Sequence, residues 1–287
     1  MIEFESRYVM QAYEELANYK VEKESDHPDI SIIYFTSHAL YYPDDDETVY
    51  NRIFVNDRYE FGRYRRQKLS GETTQEIFVR DVFKQWYICG INKDVNTVEK
   101  LAELLRILTE GTRVITVGSS AGGYAACLFG ILLKADRIFT FSGQFDLRSQ
   151  VNEGSPVLWE YRNNPDYNRY YNLREYVEKT DVPIFYFYPS GVKTDLYQHS
   201  VIQDCKSVHE FRIAGIEHGR TIYDQNLPYV FAMPKETLIQ LSEKYRGQTV
   251  TPLRFSIENM TLPVNMKSAV YNIKKTAGHL VRKLVRR

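Results

Sequence analysis

The chain predicts an α/β fold: a mostly parallel sheet with helices on both faces. Short β-branched and aromatic runs alternate with helix-patterned stretches along most of the 287 residues. Several of those runs are nearly continuous in apolar residues, as strands buried on both faces are. No internal repeat or low-complexity linker divides the chain, so one layered core is expected.

Ile30 to His38 reads as the first buried strand, with Asn51–Val55 and Glu76–Val79 as further strands. Asp94 to Glu110 predicts a helix, because Val98, Leu101, Leu104, Leu105 and Leu108 recur on one face. Arg113–Val117 is a strand, Ala121–Leu133 a helix rich in small residues, and Arg137–Ser142 the next strand. Residues 151–175 break the rhythm, and strand patterns return at Val182–Tyr188 and Glu210–Ala214. Lys235–Tyr245 reads as a helix, Pro252–Pro263 as irregular, and Val264 to the end as a final helix. The expected organisation is a domain over residues 1–258 with a cap insertion at 147–178, followed by a basic amphipathic tail over 259–287.

Hydrophobic residues at 43% and charged residues at 26% suit a folded globular chain rather than a disordered one. No run approaches the ~20 apolar residues a membrane-spanning helix needs. Cys89, Cys127 and Cys205 form no C-x-x-C pair, and no His/Cys cluster has metal-ligand spacing. No metal or cofactor is therefore expected. The scattered cysteines and an N-terminus without an apolar signal segment point to the cytoplasm. The 37 basic and 37 acidic residues balance, but seven of the cations follow Glu258, the last acid, which leaves residues 1–258 at −7. An acidic body argues against a nucleic-acid partner.

Gly118-Ser119-Ser120-Ala121-Gly122 carries the chemistry. A G-x-S-x-G run between a strand and a helix forms a tight turn that lifts the serine hydroxyl out of the sheet. The flanking glycines avoid collisions of strand with helix, and the helix N-terminus faces the reacting carbonyl. Ser120 is thus the candidate nucleophile. It needs a base, and the base needs an acid to orient it. Asp195, placed in the loop after the Val182–Tyr188 strand, and His218, in Gly215-Ile216-Glu217-His218-Gly219, follow in the order Ser, acid, His. Asp146, after the Arg137–Ser142 strand, is the alternative acid, and His199 reads as a helix residue. The oxyanion hole is expected from the backbone N–H of Ala121 together with that of Ser37 or His38. The His38 side chain either touches substrate or packs at the strand end.

The run from Val117 to Gly130, the strand Ala135–Ser142, and the blocks Phe78-Val79-Arg80-Asp81 and Trp86-Tyr87-Ile88-Cys89-Gly90 resemble bacterial α/β-hydrolase-like proteins found among surface-polysaccharide and glycosyltransferase genes. The hydrolase-like domain of the accessory Sec glycan O-acetyltransferase is a more distant likeness. The resemblance spans roughly residues 30–220. It implies serine acyl-ester chemistry on a surface glycan or its precursor: an esterase, an O-acyltransferase with the same triad, or a non-catalytic partner of a glycosyltransferase.

Trp159, Tyr161, Tyr167, Tyr170 and Tyr171 interleave with Asn163, Asn164, Asp166, Asn168 and Arg169. This composition suits either a sugar-binding lid or a solvated loop anchored by tyrosines, and Trp159, Tyr161 and Tyr124 are the candidate substrate contacts. Residues 264–287 place Val270, Ile273, Ala277, Leu280, Leu284 and Val285 at helical spacing among the seven cations. Such a helix docks on an anionic membrane surface, on a partner such as a glycosyltransferase, or on its own domain.

Overall fold

The computed structural model describes residues 6–41, 46–61, 72–152, 154–219 and 221–266. Helix α1 (Arg7–Glu15) is capped by the Ser6 hydroxyl and leads into the edge strand β1 (Tyr19–Lys23). Strand β2 (Ile30–Phe35) is buried throughout and ends in a tight helical turn at His38–Tyr41. Helix α2 (Asp46–Val49) widens into a π-helical segment, Tyr50–Val55, and strand β3 (Thr74–Val79) follows. Helix α3 (Val98–Leu108) is capped by Thr97. Strand β4 (Arg113–Ser119), helix α4 (Ala121–Leu132) and strand β5 (Arg137–Phe141) form the centre.

The insertion after β5 holds the short helices α5 (Pro156–Glu160), α6 (Pro165–Asn168) and α7 (Arg174–Lys179). Strand β6 (Ile184–Pro189), helix α8 (Lys193–Ile202) and strand β7 (Val208–Ile213) come next. Helices α9 (Leu227–Ala232) and α10 (Lys235–Tyr245), strand β8 (Thr249–Val250) and helix α11 (Pro252–Asn259) complete the order.

The eight strands run β1-β3-β2-β4-β5-β6-β7-β8 across one sheet. Only the β1–β3 pairing is antiparallel. The period-two alternation divides each central strand between two cores. Ile184, Tyr186 and Tyr188 of β6 face a cluster with α3, α4 and α7. Phe185 and Phe187 face the opposite cluster, with α9, α10 and α11. The fold is therefore α/β with helices on both faces, as the alternation predicts.

Three local expectations are corrected. Asn51–Val55 is helical rather than a strand, because Val49, Ile53 and Phe54 pack at helical spacing against Val9 and Ala12 of α1. A five-residue segment with three consecutive apolar residues, Ile53, Phe54 and Val55, does not distinguish the two by periodicity. Pro252–Asn259 is a helix rather than irregular: Thr251 caps it, and Phe255 buries its inner face. Strand β1 was not expected at all. Its alternation of Tyr19 and Val21 with Lys20 and Glu22 suits an edge strand protected by charge. The helix expected from Val264 to the end falls mostly on residues 267–287, outside the described residues; Met260 and Val264 are buried against the body. Among the described residues no helix is long and apolar enough to cross a membrane.

The side chain of Arg80, just past β3, is 2% exposed. It donates to the carbonyls of Ile53 and Arg58 and to Asn18 Oδ1, and its guanidinium lies 4.3 Å from the Tyr59 ring centroid. Arg80→Leu would leave those acceptors buried without a donor. We expect a loss of about 3 kcal/mol or more in urea unfolding; a loss under about 1 kcal/mol would contradict this account of how the π-helical segment is fixed to the sheet.

Candidate active site

Ser120 sits between β4 and α4 with φ 55° and ψ −121°, a conformation an L-residue adopts only when its surroundings impose it. Its N–H donates to Phe141 O at 2.9 Å, which ties the turn to β5. A Cβ on Gly118 would lie 1.9 Å from Gly122 O, and one on Gly122 would lie 2.2 Å from Phe35 O. Both neighbours are backbone, so glycine is required at both positions and α4 starts directly against the end of β2. The strand–turn–helix expectation for this motif holds.

His218 Nε2 lies 2.7 Å from Ser120 Oγ. On its other side Nδ1 lies 3.0 and 2.9 Å from the two carboxylate oxygens of Asp195. Since an ionised carboxylate only accepts, Nδ1 carries the proton and Nε2 is left to accept from the serine hydroxyl. The Asp195 side chain is 1% exposed and that of His218 is 38% exposed. The Asp195 carboxylate is thus sheltered from water while the His218 ring is partly open to it. Asp195 lies in the first turn of α8 rather than in the preceding loop, and this helix fixes its carboxylate.

Asp146, the alternative acid, is engaged elsewhere. Its oxygens accept from Arg148 Nε at 2.8 Å, Arg148 Nη2 at 2.6 Å and the Tyr197 hydroxyl at 2.8 Å. Burial pushes its carboxyl up, but the Arg148 bonds outweigh that and hold it below the ordinary value. Gln198 of α8 accepts from the N–H groups of Phe145 and Asp146 and donates to Asp146 O, which locks this loop to the helix bearing Asp195. His199, one turn on in α8, pairs with Glu210 and stacks on Tyr188 at 4.4 Å, as a helix residue.

One contributor was not foreseen. Ser142, at φ 48° just after β5, donates its hydroxyl to Gly219 O at 2.9 Å and accepts from Gly219 N–H at 3.0 Å. This two-way clasp holds the residue next to His218. Nothing in the sequence marks it, since a serine at a strand end is an ordinary turn residue.

The two candidate oxyanion donors of the β2 loop differ. The Ser37 N–H donates to a Glu60 carboxylate oxygen at 2.6 Å and is therefore engaged. Ala121 opens α4, where the first backbone N–H groups have no intrahelical acceptor. The His38 ring packs edge-on against Trp86 at 4.8 Å. Its Nε2 is buried with no hydrogen-bond partner among the described residues. Burial, and then the charge of Lys84, pushes this imidazole down to about 3.

The expected substrate contacts separate. Tyr124 is fully buried in the core and donates its hydroxyl to Tyr170 O at 2.6 Å, so it holds the cap to α4 and presents nothing to a ligand. Trp159 is 41% exposed, with the Arg162 guanidinium 3.9 Å above its ring. Tyr161 stacks on Tyr167 at 4.0 Å within the cap.

No family model and no curated protein matches the chain. Among solved structures it is similar to a capsule O-acetyltransferase of Neisseria meningitidis serogroup A, at 13% identity over 80% of this chain and 92% of that one, TM-score 0.47. It is also similar to MenH from S. aureus, at 12% identity over 79% and 100%, TM-score 0.42. A further likeness is MGS-MChE2, an alpha/beta hydrolase enzyme from a sediment metagenome of the Mar Chica lagoon in Morocco, at 12% identity over 81% and 97%, TM-score 0.40.

The state of His38 has a pH signature. Unfolded, it takes a proton below its ordinary value of 6.5, whereas folded it stays neutral down to about 3. Within that window the unfolded chain binds more protons, so the His38 contribution to stability falls as pH falls. The stability difference between the wild type and His38→Phe should therefore move against the wild type by up to about 1.4 kcal/mol per pH unit below 6.5. Urea unfolding at pH 7, 6 and 5 checks this, and a difference that does not change with pH would refute it.

Proposed function

We propose that the chain is a serine esterase acting on an acylated carbohydrate, with Ser120 as nucleophile, His218 as base and Asp195 as the orienting acid. The observation that carries this reading is the 2.7 Å approach of His218 Nε2 to Ser120 Oγ with the Asp195 carboxylate behind the ring. His218 removes the hydroxyl proton as Ser120 Oγ attacks the ester carbonyl. The N–H groups of Ala121 and His38 receive the developing oxyanion. As the tetrahedral adduct collapses, the sugar oxygen leaves with the proton from His218, and Ser120 retains the acyl group. Water, deprotonated by the same imidazole, then attacks the acyl carbonyl and frees the acid.

The 38% exposure of the His218 side chain favours water over a second alcohol as the acceptor. The carbohydrate half of the reading is supported by the family resemblance and by the tyrosine- and asparagine-rich cap. Acyl transfer to an added sugar at the expense of hydrolysis would replace the esterase with an acyltransferase using the same residues.

Ser120→Ala should abolish both p-nitrophenyl acetate turnover and labelling by a fluorophosphonate probe; labelling that survives would exclude Ser120 as nucleophile. Asp195→Asn should lower kcat by about 10³–10⁴, because the amide favours the wrong imidazole tautomer. Asp146→Asn should stay within about tenfold of wild type, since Asp146 acts only through the loop it braces. Equal losses in the two variants would overturn the assignment of the acid.

A further inference from the structure

We infer that a second, cationic groove on this protein binds an anionic polysaccharide. It has a volume of about 1320 Å³ and lies between the cap, the end of α4 and the segments leading into β5 and β6. None of Ser120, Asp195 and His218 lines it. Seven of its lining side chains are cationic and three are carboxylates, in a chain whose formal charge is zero. The volume exceeds the ~300–1,000 Å³ of ordinary small-molecule pockets, which suits a chain of several units rather than one small molecule.

Not all of this charge is committed to structure. Lys134 and Arg162 have no carboxylate partner among the described residues; Arg162 donates to Trp159 O and lies over that ring. Lys179 pairs with Glu175 at 3.1 Å, but both side chains are over three-quarters exposed, and such a pair exchanges readily for another anion. Arg174, held by Asp204 and Glu178, is the fixed post of the groove wall. Cations therefore run from the cap along α7 to the end of α4.

The rest of the lining favours a polyhydroxylated chain. Asn168, Asn172 and Thr180 offer amide and hydroxyl groups. A single-stranded nucleic acid needs open aromatic faces. Here Tyr171 is 3% exposed and Tyr176 packs on Tyr170 at 5.8 Å. At the cap end, Arg148 lines the groove and clasps Asp146, which also accepts from Tyr197 of α8. Through Asp146 this end of the groove is tied to α8, the helix that carries Asp195. The choice of a glycan rests on the esterase reading above, whereas the binding itself does not.

The test measures binding without turnover. Fluorescein-labelled polygalacturonate and labelled polyphosphate, titrated by anisotropy into the full chain and into Lys134→Gln/Arg162→Gln, separate carboxylate from phosphate as the anion. Both proteins keep residues 267–287, so their difference reads the groove and not the basic tail. The double variant should bind at least one probe about tenfold more weakly at low salt, and the gap should close as salt is added. Its p-nitrophenyl acetate turnover should be unchanged, so loss of esterase activity and loss of glycan binding are separate failures. Affinities within twofold of each other for both probes would overturn the inference, as would equal binding of neutral dextran. Tighter binding of oligo(U) than of either probe would assign the groove to nucleic acid instead.

Discussion

The candidate active site depends on one close packing, the seating of the first turn of α4 on the last residues of β2. A side chain at Gly122 would meet Phe35 O, and one at Gly118 would meet Gly122 O. With both absent, β4 turns into α4 within a single residue, and Ser120 absorbs the strain at φ 55°. Such strain persists only where the surroundings over-determine it. Here the Ser120 N–H bond to Phe141 O and the buried stretch Ala121–Gly130 of the helix behind it do so. The same contact that lifts the hydroxyl brings the Phe35 and Thr36 backbone, and with it the loop that runs on to His38, next to the start of α4. One packing event thus sets both Ser120 and the loop after β2 beside it.

The rest of the centre is held from the other half of the sheet. β5 contributes Ser142, whose hydroxyl clasps Gly219 from both sides. α8 contributes Asp195 and, one turn later, Gln198, which fixes the loop after β5. Three consecutive strand ends, those of β4, β5 and β6, therefore meet around the imidazole that arrives after β7. This is the expected place for a site in a parallel sheet, because every strand delivers its following loop to the same edge.

The sequence disclosed the parts of this arrangement that have a local signature. Largely apolar runs marked β2, β4, β5 and β6, because strands buried on both faces admit few polar residues, here chiefly the small hydroxyls of Ser31, Thr116 and Thr140. The elbow was legible because its glycines answer a steric demand within five residues. Asp195 and His218 were legible by chain order. Other features depend on partners far along the chain. Ser142 matters only because Gly219 lies against it, and what engages Asp146, the alternative acid, is the distant Tyr197 together with Arg148. Tyr124 looked like a site residue from its position beside the elbow. The helical period instead turns it inward, to Tyr170.

The Trp86–Tyr87 block, known at first only as a resemblance, acquires a physical role. Lys84, Trp86 and Tyr87 all have positive φ, a concentration of strain that needs an anchor. The anchor is Asp81. Burial pushes its carboxyl up to about 6, while the N–H groups of Tyr87, Gln85, Phe83 and Lys84 oppose that shift. The turn so fixed sends the Tyr87 hydroxyl back to the carbonyls of Thr36 and Val79, at 2.9 and 3.1 Å. It also sets Trp86 against His38 and, through its indole N–H, against Gln144 at 2.5 Å. Trp86 follows β3 and Gln144 follows β5, and in the sheet order β2 and β4 lie between them. The bond therefore bridges the two sides of the elbow. A strained turn after β3 thus braces the loop after β2 through Thr36 and His38 and ties it to the loop after β5 through Gln144. That is a mechanical reason for such a block to precede an elbow by about thirty residues.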